Sequence, residues 1–372
     1  MTSYKIFETP LGTTEVHVMI KAPAYQKTID AWRYIKEKLK VLYRGINISE
    51  EDKVFSRIFF SDIKNQLPLL KIAFAEDFSE DSQCSLVQQN PLPSSRLAVW
   101  AYYIQGEHKI EKAGQNCLYK ANGIKHLWSC NIFYQSNDMR EATLGMFQNY
   151  KKTLAEHGGT VLENAMRTWL FVPHIDINYP DVVEARKQFF DENGLTQDTH
   201  YISSTGIEGV HYVKQRQQVF MDAYAAFGLK KDQIKFLQAP EHLCPTNHYG
   251  VTFERGTSIT YGDRKHVFIS GTASIDNQGK ICFPYSVTKQ TVRAIENMAA
   301  LLSDADCTLS DLQSLVVYIR DNSDTEIVMN IIERNFPNTP YIILLAPVCR
   351  PGWLVELEGM AVKSAKTSWP IF

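Results

Sequence analysis

The sequence predicts an α+β fold in which one helix-and-strand pattern occurs three times. Residues 143–172 align with residues 291–320 without a gap at a constant offset of 148, so that Thr143 falls on Thr291. A weaker third copy begins at 28–45. Self-similarity at a fixed spacing indicates repeated structural units. With 44% hydrophobic and 22% charged residues, the chain has enough apolar material for several packed cores.

Each copy begins with a helix that leads into a buried strand. In the middle and third copies, apolar residues recur at helical spacing for about four turns, as in an amphipathic helix. A polar break with a threonine follows, and then a short run rich in β-branched and aromatic residues, which predicts a strand. In the first copy the helix at 28–45 is followed by a strand at 53–60 and a partial helix within 61–74.

Each copy also ends in an extended segment, at 94–104, 212–225 and 352–362. Side chains alternate between the two faces of a strand. Glu356 and Glu358 therefore share one face of the last segment and give it an unusual acidic character. We divide the chain into three α+β units.

The predicted units comprise residues 1–110, 111–230 and 231–372. At roughly 100–200 residues per domain, a chain of 372 residues accommodates them.

Composition excludes several classes of partner. The 39 basic residues are balanced by 41 acidic residues, for a net charge of -2, so we predict neither a nucleic-acid nor a membrane partner. No apolar run approaches the roughly 18 residues of a membrane helix, and the start lacks the pattern of a secretory signal. The seven cysteines are scattered and never spaced as CxxC, which favours reduced thiols and a cytoplasmic location.

Motifs for metals and cofactors are weak or missing. His242, Cys244 and His248 lie close together, but no second cluster completes a tetrahedral site, so no metal is predicted. The phosphate-binding patterns GxGxxG and GxxxxGK[ST] are absent, as is the GxSxG pattern of nucleophile-elbow hydrolases. We therefore predict no cofactor.

The third unit resembles the RidA (YjgF-like) family over about 100 residues. The resemblance rests on the FISG strand (268–271), the Gln290-Thr291 helix start, Asn297 within that helix, and the closing VELEGMAV strand (355–362). RidA proteins are trimers of chorismate-mutase-like units, each a mixed β-sheet backed by two helices, with ligand sites in the clefts between subunits. Three such units in one chain are thus implied to form a pseudotrimer.

One departure from the RidA pattern affects its deaminase chemistry. The family's substrate-binding arginine follows a proline near the start of the penultimate strand, where this chain reads Thr339-Pro340-Tyr341. Tyrosine lacks the planar donor fork with which arginine binds a carboxylate. A diverged RidA-type deaminase therefore remains only an alternative.

A closer resemblance, to the chorismatase family, spans roughly residues 160–365. It is carried by RTWLFVPHI (167–175), STGIEG (204–209), FERG (253–256), SGTAS (270–274) and CRPGWLVELEG (349–359). The resemblance places the family's glutamate at Glu356. It also implies that Cys349, with the small Ala273, favours a hydroxybenzoate as product.

The activity implied is release of pyruvate from chorismate or a related enolpyruvyl ether, giving a hydroxybenzoate or a dihydroxycyclohexadiene carboxylate. This reaction requires a proton for the enol methylene and stabilisation of the resulting cation. Glu356 is the candidate acid, because desolvation and the nearby charge of Glu358 raise the pKa of a carboxyl group. The alternative is a strand-edge glutamate in a surface ion pair.

The substrate is a small carboxylate, so its binding site needs cationic side chains. Arg255 and Arg350 are candidate carboxylate clamps, and Arg167 would contribute from the middle unit. Tyr249 is a candidate donor to a ring hydroxyl or a carboxylate. Structural salt bridges and a half-buried core tyrosine are the alternatives. Because the chain carries three units, we expect it to be a monomer.

Two further departures concern the substrate. The chain has Thr252 where we expect an arginine after the family's Tyr-Gly pair, and Leu170 and Phe171 where we expect a polar pair. Each lost charged hydrogen bond is worth about 1.5–3 kcal/mol. A related cyclic enol ether, or a non-catalytic RidA-like protein that binds a small carboxylate in an interunit cleft, also fits these changes. The net acidity disfavours an RNA-cleaving activity.

Overall fold

The fold consists of three large mixed β-sheets with helices packed against them, together with one two-stranded antiparallel sheet. A computed structural model describes residues 2–79, 82–106, 109–213, 216–244, 246 and 251–372. Three consecutive segments of the chain each supply the main strands of one large sheet and carry the helices that cover it.

The first segment contains these elements: β1 (Thr2–Phe7), β2 (Thr14–Lys21), α1 (Thr28–Ile46), β3 (Lys53–Phe60), α2 (Ile63–Ala73), β4 (Cys84–Gln88), β5 (Asn90–Leu92) and β6 (Leu97–Gln105). The second contains β7 (Lys109–Ala113), β8 (Asn116–Ala121), β9 (Ile124–Phe133), α3 (Met139–Glu156), α4 (Val161–Asn164), β10 (Ala165–Val172), α5 (Ile175–Glu192), β11 (Ser203–Glu208), β12 (His211–Val213), β13 (Arg216–Gln218) and β14 (Phe220–Phe227).

The third segment contains β15 (Ile234–Phe236), β16 (Gly256–Thr260), β17 (Arg264–Ala273), α6 (Val287–Asp304), β18 (Leu312–Ile319), α7 (Thr325–Asn335), β19 (Tyr341–Leu345) and β20 (Val355–Ser364). The predicted strand at 53–60 is confirmed as β3, and the partial helix within 61–74 is confirmed as α2.

The same five-strand order occurs in all three sheets. It is β1-β2-β6-β3-β4 in the first, β8-β9-β14-β10-β11 in the second, and β16-β17-β20-β18-β19 in the third. The last pair of each order is parallel, and the other pairs are antiparallel. In each unit, one helix precedes the third strand of the chain order and another helix follows it. The preceding helices are α1, α3 and α6, the strands are β3, β10 and β18, and the following helices are α2, α5 and α7. The predicted α+β class, with mixed sheets backed by helices, is confirmed. The boundaries of the three units remain a prediction.

Matching side chains in the second and third units make matching contacts. The hydroxyls of Thr143 and Thr291 both donate to the carbonyl four residues earlier in their helices, at 2.8 Å. The amide of Asn149 donates to Phe133 O, and that of Asn297 donates to Ala273 O, at the end of the preceding long strand in each case. The gapless sequence alignment therefore corresponds to an alignment of structure.

The inner faces of the three sheets share one aromatic core. Phe55 of the first sheet lies 5.1 Å from Trp128 of the second, measured between ring centroids. Tyr224 of the second lies 5.0 Å from Phe268 of the third. Burying such large side chains supplies most of the favourable free energy of packing the units together.

Buried ion pairs join the units around this core. Arg57 of the first sheet pairs with Asp222 of the second at 2.7 Å. Glu15 of the first pairs with Arg264 of the third at 2.6 Å. These side chains have no measurable exposure. Such pairs fix the arrangement of the units, because removing one partner leaves an uncompensated charge in a dry interior.

Two features complete the description. β5 of the first segment pairs with β19, so it becomes the edge strand of the third sheet. In the part of the chain that the structure describes, no helix combines the length and apolar character needed to span a membrane.

Candidate active site

A small cavity lies between the second and third units. Its walls come from α5 and β11 of the second unit, and from β17, β20 and the loops around 251–255 and 349–353 of the third. The lining residues are Tyr179, Arg186, Ser204, Thr205, Gly206, Val251, Phe253, Arg255, Gly271, Ala273, Ile275, Cys349, Arg350, Trp353 and Glu356. Five of the seven sequence-predicted site residues line it together: Glu356, Arg255, Arg350, Cys349 and Ala273.

The cavity itself is narrow and adjoins a wider groove. Its volume is about 30 Å³, which is the space of one or two water molecules. The adjoining groove of about 810 Å³ shares Tyr179, Val251, Cys349, Arg350 and Trp353 with it. The cavity and the groove therefore share part of their walls.

The strand register places Glu356 in the cavity. Glu356 on β20 lies opposite Ala273 on β17, next to an irregularity of β17 between Ile269 and Thr272. Gly271 lies within that irregularity, and a Cβ atom there would collide with the Oε1 atom of Glu356. A glycine at this position therefore leaves the space that the carboxyl group occupies.

Glu356 is a buried carboxyl group that no side chain neutralises directly. Its exposed fraction is 3%. Among the described residues it forms neither a hydrogen bond nor an ion pair. Burial, and next the charge of Glu358, raise the pKa of Glu356 to about 8, whereas Arg167 and Arg255 lower it. At neutral pH this group is mainly a neutral acid that can donate its proton.

Glu358, in contrast to Glu356, is surrounded by hydrogen-bond donors. Its carboxylate accepts hydrogen bonds from Arg167 Nη2 at 2.7 Å, Tyr318 Oη at 2.8 Å and Trp169 Nε1 at 3.1 Å. The hydroxyl of Thr205 donates to it as well. Glu358 is thus held as a structural anion between the second and third units.

The remaining predicted site residues lie elsewhere. Arg167 is outside the cavity lining, because its guanidinium is engaged by Glu358 and by Thr205. It still acts on Glu356 through its charge. Tyr249 lies outside the described residues.

Arg186 is a site residue that the sequence analysis missed. It projects from α5 into the cavity lining with 1% exposure. Its Nε and Nη2 atoms have no hydrogen-bond partner among the described residues. A signal existed, since Arg186 lies on the apolar helix face of Val182 and Phe190, four residues to either side. A buried guanidinium without a carboxylate favours an anionic ligand.

Two other arginines bring cationic groups to the same space. Arg255 is 7% exposed and donates from Nη2 to the carbonyl of Cys244 at 3.0 Å. The guanidinium of Arg350 lies 5.6 Å from the ring centroid of Trp353. Three arginines and one mainly neutral carboxyl group give the cavity a positive balance, which suits a ligand with more than one negative charge.

Cys349 is a neutral thiol in this environment. Burial, and next the charge of Glu356, raise the pKa of Cys349 to about 12. Since the thiolate is the nucleophilic form, Cys349 contributes shape and polarity to the cavity rather than a nucleophile.

The sequence departures lie outside the cavity. Leu170 packs in the core beneath the helices of the second unit, and Phe171 stacks on Phe220 at 4.6 Å. Thr252 is buried between Val251 and Phe253, which do line the cavity. Among the residues that the structure describes, these three positions therefore do not determine the cavity wall.

No group of three histidine, cysteine or acidic side chains is arranged to hold a metal ion within the described ranges. Of the sequence cluster, His242 and Cys244 are described, and His248 falls outside those ranges.

Comparison with known proteins supports the resemblance to the RidA superfamily and to the chorismatases. The family model described as Endoribonuclease L-PSP matches residues 258–363. A chorismatase of Streptomyces hygroscopicus is 28% identical over 274 residues, covering 68% of this chain and 77% of that protein. A 3-hydroxybenzoate synthase of the same organism is 29% identical over 142 residues, covering 34% of this chain and 41% of that protein.

The fold has a solved counterpart. A crystal structure of a chorismatase aligns over 84% of this chain and 93% of its own, with a TM-score of 0.65 and 18% identity. At that identity the match establishes the fold alone. The resemblance to the RidA superfamily and to the chorismatases is confirmed by the family model, the sequence relatives and this structure together.

Proposed function

We propose that the chain is a chorismatase-like, cofactor-independent enzyme that releases pyruvate from chorismate or a related enolpyruvyl ether. The single observation that carries the proposal is the buried Glu356, with its pKa raised to about 8, in a cavity that three arginines also line. The similarity to a chorismatase and to a 3-hydroxybenzoate synthase supports this choice of substrate class.

In the proposed reaction Glu356 donates its proton to the terminal methylene carbon of the enol ether. The adjacent carbon becomes an oxygen-stabilised cation, and the carboxylate left on Glu356 is the counter-charge nearest to it. A pKa of about 8 is suited to this role, because the acid is populated at neutral pH and still releases its proton readily.

Cleavage of the ether bond then yields pyruvate and the ring product. In the hydrolytic route, water adds to the cation, and the ring oxygen leaves as a hydroxyl of a dihydroxycyclohexadiene carboxylate. In the aromatising route, pyruvate and a hydroxybenzoate together contain all the atoms of chorismate, so no net water is consumed. Cys349 and Ala273 both line the cavity, and the resemblance to the chorismatase family associates this combination with the hydroxybenzoate.

The arginines hold the carboxylates of the substrate. Arg186 and Arg255 are the buried clamps, because a guanidinium keeps its charge when desolvated and offers two parallel donors. Arg350 lies where the cavity meets the wider groove and meets the second carboxylate there. The substrate is then a dianion, and the protein acts on it as a monomer without a nucleic-acid partner.

The test is pyruvate release from chorismate by the purified protein, with the ring product identified by mass spectrometry. We expect release by the wild type, 3-hydroxybenzoate as product, and loss of activity in Glu356→Gln. Glu326→Gln, at an exposed position on α7, is the matched control and retains full activity.

Two results would contradict the proposal. One is a folded wild type that releases no pyruvate from chorismate. The other is a Glu356→Gln variant as active as the control. If the wild type is inert but a small dicarboxylate raises its Tm, and this shift disappears in Arg186→Met, the chain is a binding protein instead. The unpaired Arg186 is the observation that favours that second candidate.

A further inference from the structure

A second, larger cavity lies on the first unit, with Lys112 of the second unit at its rim. Its walls come from α1, from β3, β4 and β6, and from residues that follow α2, namely Glu76, Asp77, Ser79, Ser82 and Gln83. Its volume is about 510 Å³, within the range of small-molecule sites.

A row of small side chains creates this cavity. Ser56 on β3 lies directly opposite Ala101 on β6 and Cys84 on β4. All three line the cavity. Since neighbouring strands lie about 5 Å apart, the row spans roughly 10 Å of sheet beneath the helix. In the next row of the sheet, Ile58 and Val99 are large and close the floor.

Most charged groups of the lining take part in ion pairs. Four lysines (Lys36, Lys40, Lys53 and Lys112) face three acidic residues (Glu50, Glu76 and Asp77). Lys36 is paired with Asp77 at 2.7 Å, and Lys40 with Glu37, its neighbour on α1, at 2.8 Å.

Lys112 and Glu76 are the charged lining residues that form no ion pair among the described residues. Both carboxylate oxygens of Glu50 are occupied, one by Lys53 and the other by the hydroxyl of Tyr43. Lys112 Nζ instead donates to the backbone carbonyl of Glu50 at 3.0 Å. In the described part of the chain, no carboxylate lies within 4.0 Å of Lys112 Nζ. The ammonium is exposed at the rim, so a ligand can reach it from solvent.

We propose that this cavity binds an amphipathic organic monoanion, namely a carboxylate with an aromatic or aliphatic body. The body lies on the row of Ala101, Ser56 and Cys84, and the carboxylate meets Lys112 at the rim. The ammonium of Lys112 favours a carboxylate over a neutral analogue, and the carboxylate of Glu76 in the same lining disfavours a second negative charge on the ligand. The proposal is independent of the function assigned to Glu356.

The test is calorimetric titration of the full-length protein with three probes: benzoate, 1-naphthoate and decanoate. We expect saturable one-to-one binding of at least one of them, and binding of its neutral amide at least roughly tenfold weaker, as for loss of a charged hydrogen bond. Lys112→Gln should weaken binding of the acid to the same extent. Lys109→Gln is the matched control, because Lys109 lies on the same strand and pairs with Glu111.

Two further variants separate this cavity from the candidate active site. Ala101→Leu fills the floor, so binding should be lost while circular dichroism and Tm confirm folding. Arg186→Met should leave binding unchanged. Absence of saturable binding of all three probes at 1 mM would overturn the proposal. Binding that survives Ala101→Leu, or disappears in Arg186→Met, would overturn it equally.

Discussion

Glu356 and Glu358 lie two residues apart on the same face of β20, yet their carboxyl groups are in opposite states. Glu358 is surrounded by donors from three other strands, among them Arg167 at 2.7 Å. Glu356 has no such donor among the described residues, and its pKa is raised to about 8. The charged member of the pair is structural, and its charge helps to keep the other member protonated. Neighbouring carboxyl groups with such different surroundings are typical of active sites in which one of the two groups acts as the acid.

The first prediction concerns the pH profile of pyruvate release. Because the reaction requires the protonated form of Glu356, kcat/KM should be constant on the acidic side and fall tenfold per pH unit above about 8. Measurement between pH 5.5 and 9.5, with folding verified at each pH, tests this. A rate that rises through pH 8 would show that Glu356 acts as a base.

The second prediction concerns Glu358→Gln. Removing the negative charge that raises the pKa of Glu356 should shift the alkaline limb of the profile to lower pH. Arg167 also loses its counter-charge, so unfolding should become easier by about 3–5 kcal/mol. Urea denaturation and the pH profile test both effects. An unshifted limb would mean that the two carboxyl groups are not coupled.

The third prediction concerns Gly271. In Gly271→Ala the new methyl group must displace the carboxyl of Glu356, and a displacement of about 1 Å can lower a rate 10²-fold. We expect loss of kcat with a modest loss of stability. Gly45→Ala, in the helix α1 and with open space at its Cβ position, is the control and keeps its activity. Equal kcat values in the two variants would be inconsistent with the geometry of the site.

The fourth prediction compares two buried arginines. Arg57→Met should destabilise the protein by about 3–5 kcal/mol, because Asp222 loses its partner. Arg186→Met should stabilise the ligand-free protein by at least ~1 kcal/mol, because a buried group without a partner is removed. It should also raise KM for a dicarboxylate substrate. Thermal unfolding and steady-state kinetics test both variants. Destabilisation by Arg186→Met would indicate an internal partner for Arg186.

The fifth prediction concerns stability as a function of pH. The pKa of Glu356 is higher in the folded protein than the usual 4.5, so its contribution to stability is complete below about pH 4.5. That contribution is lost as the pH rises towards about 8, at about 1.4 kcal/mol per unit of pKa difference. Glu356→Gln should therefore gain stability relative to the wild type between pH 5 and 8. Urea unfolding at pH 5, 6.5 and 8 measures this gain, and a constant difference would contradict it.

The repeated architecture could be predicted because three kinds of sequence signal agree. Helical periodicity, threonine helix starts and β-branched runs all recur at one spacing, and the structure confirms the corresponding α3, β10, α6 and β18. The start of α3 at Met139 was not predicted, because it depends on capping by Asp138, whose carboxylate accepts from Glu141 N.

The site was less accessible to sequence reasoning. The resemblance to the chorismatase family identified Glu356 and four other residues that line the same cavity. It provided no basis for selecting Arg186. That residue lies on α5, and its place in the cavity depends on the packing of α5 against the third unit. Conversely, Leu170 and Phe171 looked like substrate contacts, because sequence alone does not say what covers each face of a buried strand such as β10.

Carrying three sheets on one chain has a consequence for how such a protein changes. In a symmetric homotrimer a single substitution alters every interface at once, so a residue suited to one cleft must be tolerated in all. Here each interface has its own residues, with Arg57 and Asp222 at the first, Arg264 and Glu15 at another, and Glu356 with Arg186 at the third. Two interfaces are thus free to specialise in cohesion while one accumulates the unpaired charges of a reactive site.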